Sequence, residues 1–434
     1  LRISGFAATK EPWRMNSPVW IWLSFILIAV LVLVIWSIRR HRSPIVAIHA
    51  DCGIAELMPS LSGLTLSTPV RGNSVQVLEN GHYFEVLEER IRAASKSVHF
   101  ETFLWKPGEL GTRLAHLFIE KARQGVAVRV LLDAQGSRKI EKDLVARMRE
   151  AGCKVKFFHP HSLYTIGVLN DRDHRKLCIL DGREAFVGGH CITDEWLGDA
   201  EDHVHWSDVS VWLHGPIVHS IQGAFSENWA GETGELFVGD AVFPTLEPAG
   251  DIQIHAAFAK PENSASAVKI LHHTVLCLAR ERLWIQNPYF IPKYEAIDAM
   301  GAAVKRGVDV RVLMPATSGS DSPLVQHAGH YHFERLLKAG VRLYEYPHTL
   351  LHQKIMTVDG CWSAVGSTNF DDRSLDTNDE ITLGVLDKGI AAQFDAIFEK
   401  YAQRADEITL AEWEKRGIVR KVKANAAYLL NDLL

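Results

Sequence analysis

From Pro18 to Ile38 the chain reads PVWIWLSFILIAVLVLVIWSI, an apolar run of about 21 residues without a charge. No later stretch is as long. Twenty apolar residues in a helix cover the ~30 Å hydrocarbon core of a bilayer, and a buried core helix is rarely so long and uncharged. Trp20, Trp22 and Trp36 lie near the ends, where indole rings favour the interface. A cleaved secretory signal carries its basic residues ahead of the apolar run and small residues behind it; here Arg39, Arg40 and Arg42 follow the run. The pattern predicts one uncleaved transmembrane anchor over about 18–38, with its C-terminal side cytoplasmic. Initiation at Met15 leaves almost no charge ahead of the span and agrees with that orientation.

Beyond the anchor, the pattern changes to short apolar runs alternating with amphipathic stretches. Residues 43–75 read as a juxtamembrane linker ending in SLSGLTLSTPVRGNS. SVHFETFLW at 97–105 reads as a strand, KARQGVAVRVLLD at 121–133 as a helix end, Gly turn and strand, and ARMREAGCKVKFF at 146–158 as the same again. That succession recurs as RLWIQNPYF at 282–290, AVKRGVDVRVLMP at 303–315 and HFERLLKAGVRLYEY at 332–346. So long a period means a duplicated domain and not a solenoid. The expected class is α/β, each half a sheet covered by helices on both faces. The divisions expected are an N-terminal segment with the anchor (1–42), the linker (43–75), a first domain (76–236), a connection (237–251), a second domain (252–404) and a helical tail (405–434). The tail's apolar positions, Trp413 among them, predict a docking face.

The duplication carries chemistry with it. HRKLCILDGREAFVGGHCI places His174, Lys176 and Asp181; HQKIMTVDGCWSAVGSTNF places His352, Lys354 and Asp359. Alternate side chains of an extended strand share a face, so each His and Lys, two apart, point the same way. An imidazole beside an ammonium suits phosphoryl chemistry: a nucleophile or proton carrier next to a fixed positive charge. One such match is weak evidence, but two within a longer repeat are not. The motif aspartates sit at strand ends before Gly turns, where turn and inter-half bonding competes with a catalytic role.

With these residues the chain resembles the phospholipase D superfamily, in which two such motifs form one active site. NGHYFEVLEERIRAA, PYFIP, GSTNFDDRSLDTNDE, HWSDVSVWLHGPIV and FSENW make it most similar to the bacterial cardiolipin synthase branch, over about residues 70–434. The resemblance implies two mixed-sheet α-β-α sandwich domains related by a pseudo-twofold axis around a shared cleft. It implies His174 as nucleophile, His352 as general acid and then base, and Lys176 and Lys354 on the non-bridging oxygens. It further implies Asp208 as the carboxylate partner of His174 and Glu380 as that of His352. Ser367 and Asn369 resemble the family's phosphate-binding polar pair; the first half departs there, with Gly189 and Cys191 in the matching places. The apolar loop LYTIGVL at 163–169 fits a lipid contact.

Composition narrows the substrate. A formal net charge of −5 argues against a nucleic-acid partner, which calls for a strongly basic surface. The six cysteines (Cys52, Cys153, Cys178, Cys191, Cys277, Cys361) form no metal or disulfide pattern. No dinucleotide, P-loop or His-Glu-x-x-His signature occurs, so neither cofactor nor metal is expected. The reading is a transferase that takes a phosphatidyl group from phosphatidylglycerol or another phospholipid and passes it to a second lipid, single-pass in a bacterial inner (cell) membrane with its catalytic part cytoplasmic. The alternative is a phospholipase D or nuclease with water as acceptor, and a third reading, a degenerate tethered scaffold, is opposed by two intact His–Lys pairs.

Overall fold

The computed structural model describes residues 17–38, 53–65, 67–160, 171–260 and 266–429. The loop at 163–169, Cys52 and the Arg39–Arg42 cluster lie outside them. Two units separate, the first being the N-terminal segment. Within it, Ser17–Ile38 is helical. Among the described residues no helix is long and apolar enough to cross a membrane. The described side chains of this helix run only from 19 to 32, so the span expected over 18–38 extends past them at both ends.

The second unit is built twice on one plan. The first half contributes β1 (Val70–Glu79), β2 (Ser97–Thr102), β3 (Ala127–Asp133), β4 (Lys154–Phe158), β5 (Leu177–Leu180), β6 (Glu184–Gly188) and β7 (Val209–His214). The second contributes β8 (Ile252–Ala259), β9 (Arg282–Gln286), β10 (Asp309–Pro315), β11 (Arg342–Tyr346), β12 (Ile355–Val358), β13 (Trp362–Gly366) and β14 (Glu380–Leu386). Spatial order is β4-β3-β2-β5-β6-β7-β1 in one and β11-β10-β9-β12-β13-β14-β8 in the other, joined through β1 and β8. A final strand, β15 (Asp406–Ile408), pairs antiparallel with β11, so the tail expected to be all helix opens as an edge strand.

The sheet is mixed for a local reason. β2, β3 and β4 are parallel because helices intervene (Glu109–Arg123 and Lys142–Glu150), and parallel neighbours require such crossovers. β5 and β6 are antiparallel because only a tight turn joins them. Its central residues Asp181 and Gly182 have φ of 53° and 66°, and the Arg183 N–H donates to Leu180 O at 2.9 Å. That is a type I′ turn, for which Asp-Gly is a preferred pair. Asp359 (φ 50°) and Gly360 (φ 58°) repeat it between β12 and β13.

Among the described residues most apolar burial falls into three large clusters. One cluster holds the outer face of the first half (Phe84, Leu114, Val130, Phe186), another that of the second (Leu271, Met300, Val312, Trp362). The largest mixes both halves, Ile179, Val211 and Phe225 with Leu351, Leu383 and Phe394. β5 and β12 are buried throughout, as expected of strands covered on both faces. The stretch expected as linker is a correction. Residues Ile54–Thr65 form a helix burying Ile54, Leu57, Met58 and Leu61, an i, i+3, i+4, i+7 stripe that joins the second half's outer cluster. Thr65 Oγ1 pairs with His255 Nε2 at 2.7 Å. β1 then begins at Val70, ahead of the expected boundary at 76.

Candidate active site

Each motif histidine lies just before a buried strand, His174 ahead of β5 and His352 ahead of β12, and each is held by the opposite half. His174 N–H donates to Asp379 O at 2.9 Å, and His352 N–H to Ser207 O at 2.7 Å. Short parallel bridges, Asp173 with Asp379 and Ser207 with Leu351, continue the link. The next residue in each foreign segment is a carboxylate. His174 Nδ1 donates to Glu380 Oε1 at 2.8 Å and lies 3.0 Å from Oε2; His352 Nδ1 donates to Asp208 Oδ2 at 2.6 Å.

This reverses the expected partners: Glu380 serves His174 and Asp208 serves His352. The reason is strand order. Within one half, β6 separates the histidine-bearing β5 from the carboxylate-bearing β7, a gap of about 10 Å at ~4.8 Å per strand, too wide for a hydrogen bond. Crossing the interface closes it. Both rings use Nδ1–H on a carboxylate and so leave the Nε2 lone pair for chemistry.

The lysines complete the site. Lys176 Nζ donates to His174 O at 2.5 Å, and Lys354 Nζ to His352 O at 2.7 Å. Lys354 Nζ is also 2.8 Å from Nε2 and 2.9 Å from Nδ1 of His352, so it rests against the ring and not in line with one lone pair. Burial, then the charges of Lys176 and Lys354, lowers His174 to about 4 despite Glu380. Burial followed by Lys354 and Lys176 holds His352 well below its ordinary value. Burial lowers Lys354 to about 7 and raises Asp208. Burial pushes Glu380 upward, but His174, Lys176 and Ser367 outweigh it and hold the carboxyl below its usual range. The consequence is two neutral imidazoles facing positive charge.

Ser367 Oγ donates to Glu380 Oε2 at 2.5 Å, so its hydroxyl positions a carboxylate. Asn369 is buried and its Oδ1 has no hydrogen-bond partner among the described residues. At the matching place of the first half, a Cβ on Gly189 would lie 2.3 Å from Asp208 Oδ1; glycine is there because the carboxylate fills the space. Cys191 is buried, its Sγ 3.9 Å from Gly189 O.

Asp181 and Asp359 are corrected out of the catalytic set and out of any inter-half bond. Each lies at the far end of its strand from the histidine. Asp181 accepts the N–H groups of Ser95, Lys96 and Ser97 at 2.7–2.8 Å, and Asp359 those of Arg280, Glu281 and Arg282 at 2.8–3.1 Å. They fasten a turn to the start of the neighbouring strand. Sequence reasoning missed the aromatic walls. Phe103 meets His174 edge-on at 5.0 Å; Trp196 meets His352 at 5.1 Å and donates Nε1–H to Asp208 at 3.2 Å. Their positions just past β2 and in the turn after the Gly-Gly pair were the available signal. Among the described residues, Glu201, Asp202 and His205 could share a cation, but Asp202 and His205 already pair with each other at 3.0 Å.

A family model described as "Cardiolipin synthase, PLD-like domain" matches residues 87–229 and 274–402. The chain belongs to that family. It is 33% identical over 368 residues to "Cardiolipin synthase 2" of Bacillus anthracis, covering 83% of this chain and 70% of the relative. It is also 33% identical over 410 residues to "Cardiolipin synthase" of Geobacillus sp., covering 92% and 78%. The solved phosphatidylserine synthase of Haemophilus influenzae shares the fold, with a TM-score of 0.64 at 14% identity, covering 86% of this chain and 98% of that one. The chain is thus a phospholipid phosphatidyltransferase of the phospholipase D superfamily, with a PLD-like mixed α/β fold.

Proposed function

We propose that the enzyme makes cardiolipin at a membrane through a phosphohistidine. The observation that carries this is the crossed pairing, which brings two neutral imidazoles and two ammonium groups to one site. His174 Nε2 attacks the phosphorus of phosphatidylglycerol; the P–O bond to glycerol breaks, and the leaving oxygen takes a proton through His352 Nε2, supplied there by the Lys354 ammonium 2.8 Å away, which recovers it in the second step. A hydroxyl of a second phospholipid then attacks the phosphohistidine, gives its proton to His352, and the N–P bond breaks. Lys176 and Lys354 offset charge on the non-bridging oxygens in both steps. Ser367 and Asn369 line the same turn, Ser367 steadying Glu380. Neither step calls on a metal or cofactor.

The apolar run 18–38 is assigned as a single-pass anchor in a bacterial cell membrane with the catalytic part cytoplasmic. Residues 70–236, which take in the whole of β1, and 252–404 are assigned as the two catalytic domains, joined by 237–251. An anchor raises the effective concentration of lipid headgroups at the cleft, so deleting 1–42 should slow turnover of lipid in vesicles far more than that of a soluble diester. Purified protein in phosphatidylglycerol vesicles should release glycerol and form cardiolipin. Phosphatidic acid as the main product would instead establish water as acceptor and overturn the transferase reading.

A further inference from the structure

Each histidine is held by a segment of the opposite half, and the two segments are themselves held by different chemistry. Three registers fix which residues correspond. The bridges Asp173–Asp379 and Ser207–Leu351 set Asp379 in the place of Ser207, and the His-x-Lys spacing sets Arg175 in the place of Gln353. The strand pairs Glu101–Leu177 and Gln286–Ile355 set Glu101 in the place of Gln286. All six of these residues are buried.

On the His352 side the contacts are neutral. Gln286 Nε2 donates to Gln353 Oε1 at 2.9 Å, Gln353 Nε2 donates to Ser207 Oγ, and the Ser207 hydroxyl donates to Asn80 Oδ1 at 2.8 Å. On the His174 side they are ionic. The Arg175 guanidinium lies 3.9 Å from Asp379 Oδ2 and 3.7 Å from Glu227 Oε2, and it donates to Ala224 O at 2.9 Å. Lys260 Nζ reaches the same Asp379 oxygen at 3.6 Å and Glu227 Oε1 at 2.8 Å. Asn228 extends the cluster to Glu101, donating to its Oε1 at 3.0 Å. Burial opposes the charge of Arg175, but Asp379, Glu101, Asp173 and Glu227 together raise its proton affinity above the ordinary value. Arg175 belongs to the first half and Lys260 to the second, so Asp379 receives a cation from each.

Asp379 matters because of what its backbone carries. Its carbonyl accepts His174 N–H at 2.9 Å, and the next residue, Glu380, accepts His174 Nδ1–H at 2.8 Å. We propose that Arg175 and Lys260 are positioning residues that hold Asp379 between the halves and thereby seat Glu380 against His174 for formation of the phosphohistidine. This rests on the reading of His174 as nucleophile. Attack on phosphorus puts positive charge on the ring, which Glu380 answers, and a misplacement of 1 Å can cost about a hundredfold in rate. Breakdown returns the ring to neutrality and makes no such demand. Losing the clamp therefore slows one step and spares the other.

The test uses the full chain in single turnover with a p-nitrophenyl phosphodiester. Nitrophenolate release reads formation, and loss of label from His174 reads breakdown. Lys260→Met and Arg175→Gln should each slow formation, the second by about tenfold or more, with breakdown nearly unchanged. Lys260→Arg should retain most of the rate. Arg175→Gln leaves a buried carboxylate without its partner. Adding Asp379→Ser removes that carboxylate and installs both residues of the equivalent place, so the double variant should recover part of the loss. Unchanged formation in either single variant, formation and breakdown slowed alike, or a double variant no faster than Arg175→Gln overturns the proposal. Should Arg175→Gln not fold, Lys260→Met against Lys260→Arg, at a partly exposed side chain, carries the same comparison of steps. Label absent from His174 in the wild-type protein would sink the nucleophile reading itself, a result distinct from the others.

Discussion

Glu380→Gln and Asp208→Asn should separate the two steps of the reaction, because each carboxylate holds the other half's histidine. Glutamine at 380 can still accept from His174 Nδ1–H but brings no charge to the developing imidazolium. A buried hydrogen bond to a charged group is worth about 1.5–3 kcal/mol and a neutral one about 0.5–1.5. The difference, about 1–2 kcal/mol, corresponds to a rate loss of about 5–30-fold. Asparagine at 208 should cost a similar amount through His352, since Asp208 also receives Trp196 Nε1–H and Val209 N–H and stays in place.

The leaving group tells the two apart. A p-nitrophenyl phosphodiester releases a phenolate that needs no proton, so first-step turnover should recover in Asp208→Asn and stay slow in Glu380→Gln. Quenched-flow labelling with that activated diester should show phosphohistidine accumulating at His174 in Asp208→Asn, where His352 is slow to deprotonate the acceptor. If Glu380→Gln recovered and Asp208→Asn did not, or if the label mapped to His352, the roles argued from the crossed bonds would be wrong. Equal losses on both substrates would remove the division of labour altogether.

Asp181→Ala and Asp359→Ala should each lower stability by about 1–2 kcal/mol, the cost of losing a cap, with kcat intact; urea titration alongside assay checks both. Asp181 is below its ordinary value because the Ser95, Ser97 and Lys96 N–H groups outweigh burial. Its contribution is therefore fully present above the unfolded carboxyl pKa of ~3.9 and lost as pH falls through the lower folded value, so the wild-type advantage over Asp181→Ala should vanish in strong acid. Gly189→Ala has to displace Asp208 and should reduce kcat by about tenfold or more through His352, whereas Ser367→Gly should cost less; near-normal kcat in Gly189→Ala would contradict the close approach. With His174 lowered to about 4 and Lys354 to about 7, kcat/KM should hold through pH 5–6 and decline above about 7 as Lys354 loses its proton. A decline that sets in below pH 6.5 would place the acid limb at an ordinary histidine and count against the buried-neutral assignment.

The residues of this site were legible in the sequence, but their connectivity was not. His174, Lys176, His352 and Lys354 follow from one repeated spacing, because residue type at fixed spacing is a one-dimensional property, whereas Asp208 and Glu380 come only with the family resemblance. Partner choice is not one-dimensional: Asp208 and Glu380 each follow their own half's histidine in sequence, and only the order β5-β6-β7 shows that this shorter route is blocked by a strand. The helix Ile54–Thr65 failed for a similar reason. Its Ser, Pro and Gly content signals a linker, while the outer face of the second half supplies the burial that makes it a helix. The same dependence explains Gly189, which reads as a defect beside Ser367 until Asp208 is seen to need the space. Crossed pairing also has a mechanical consequence. Neither half contains a complete histidine–carboxylate unit, so separating the halves at the interface should disable both histidines at once, and a half expressed alone should be inactive even where it folds.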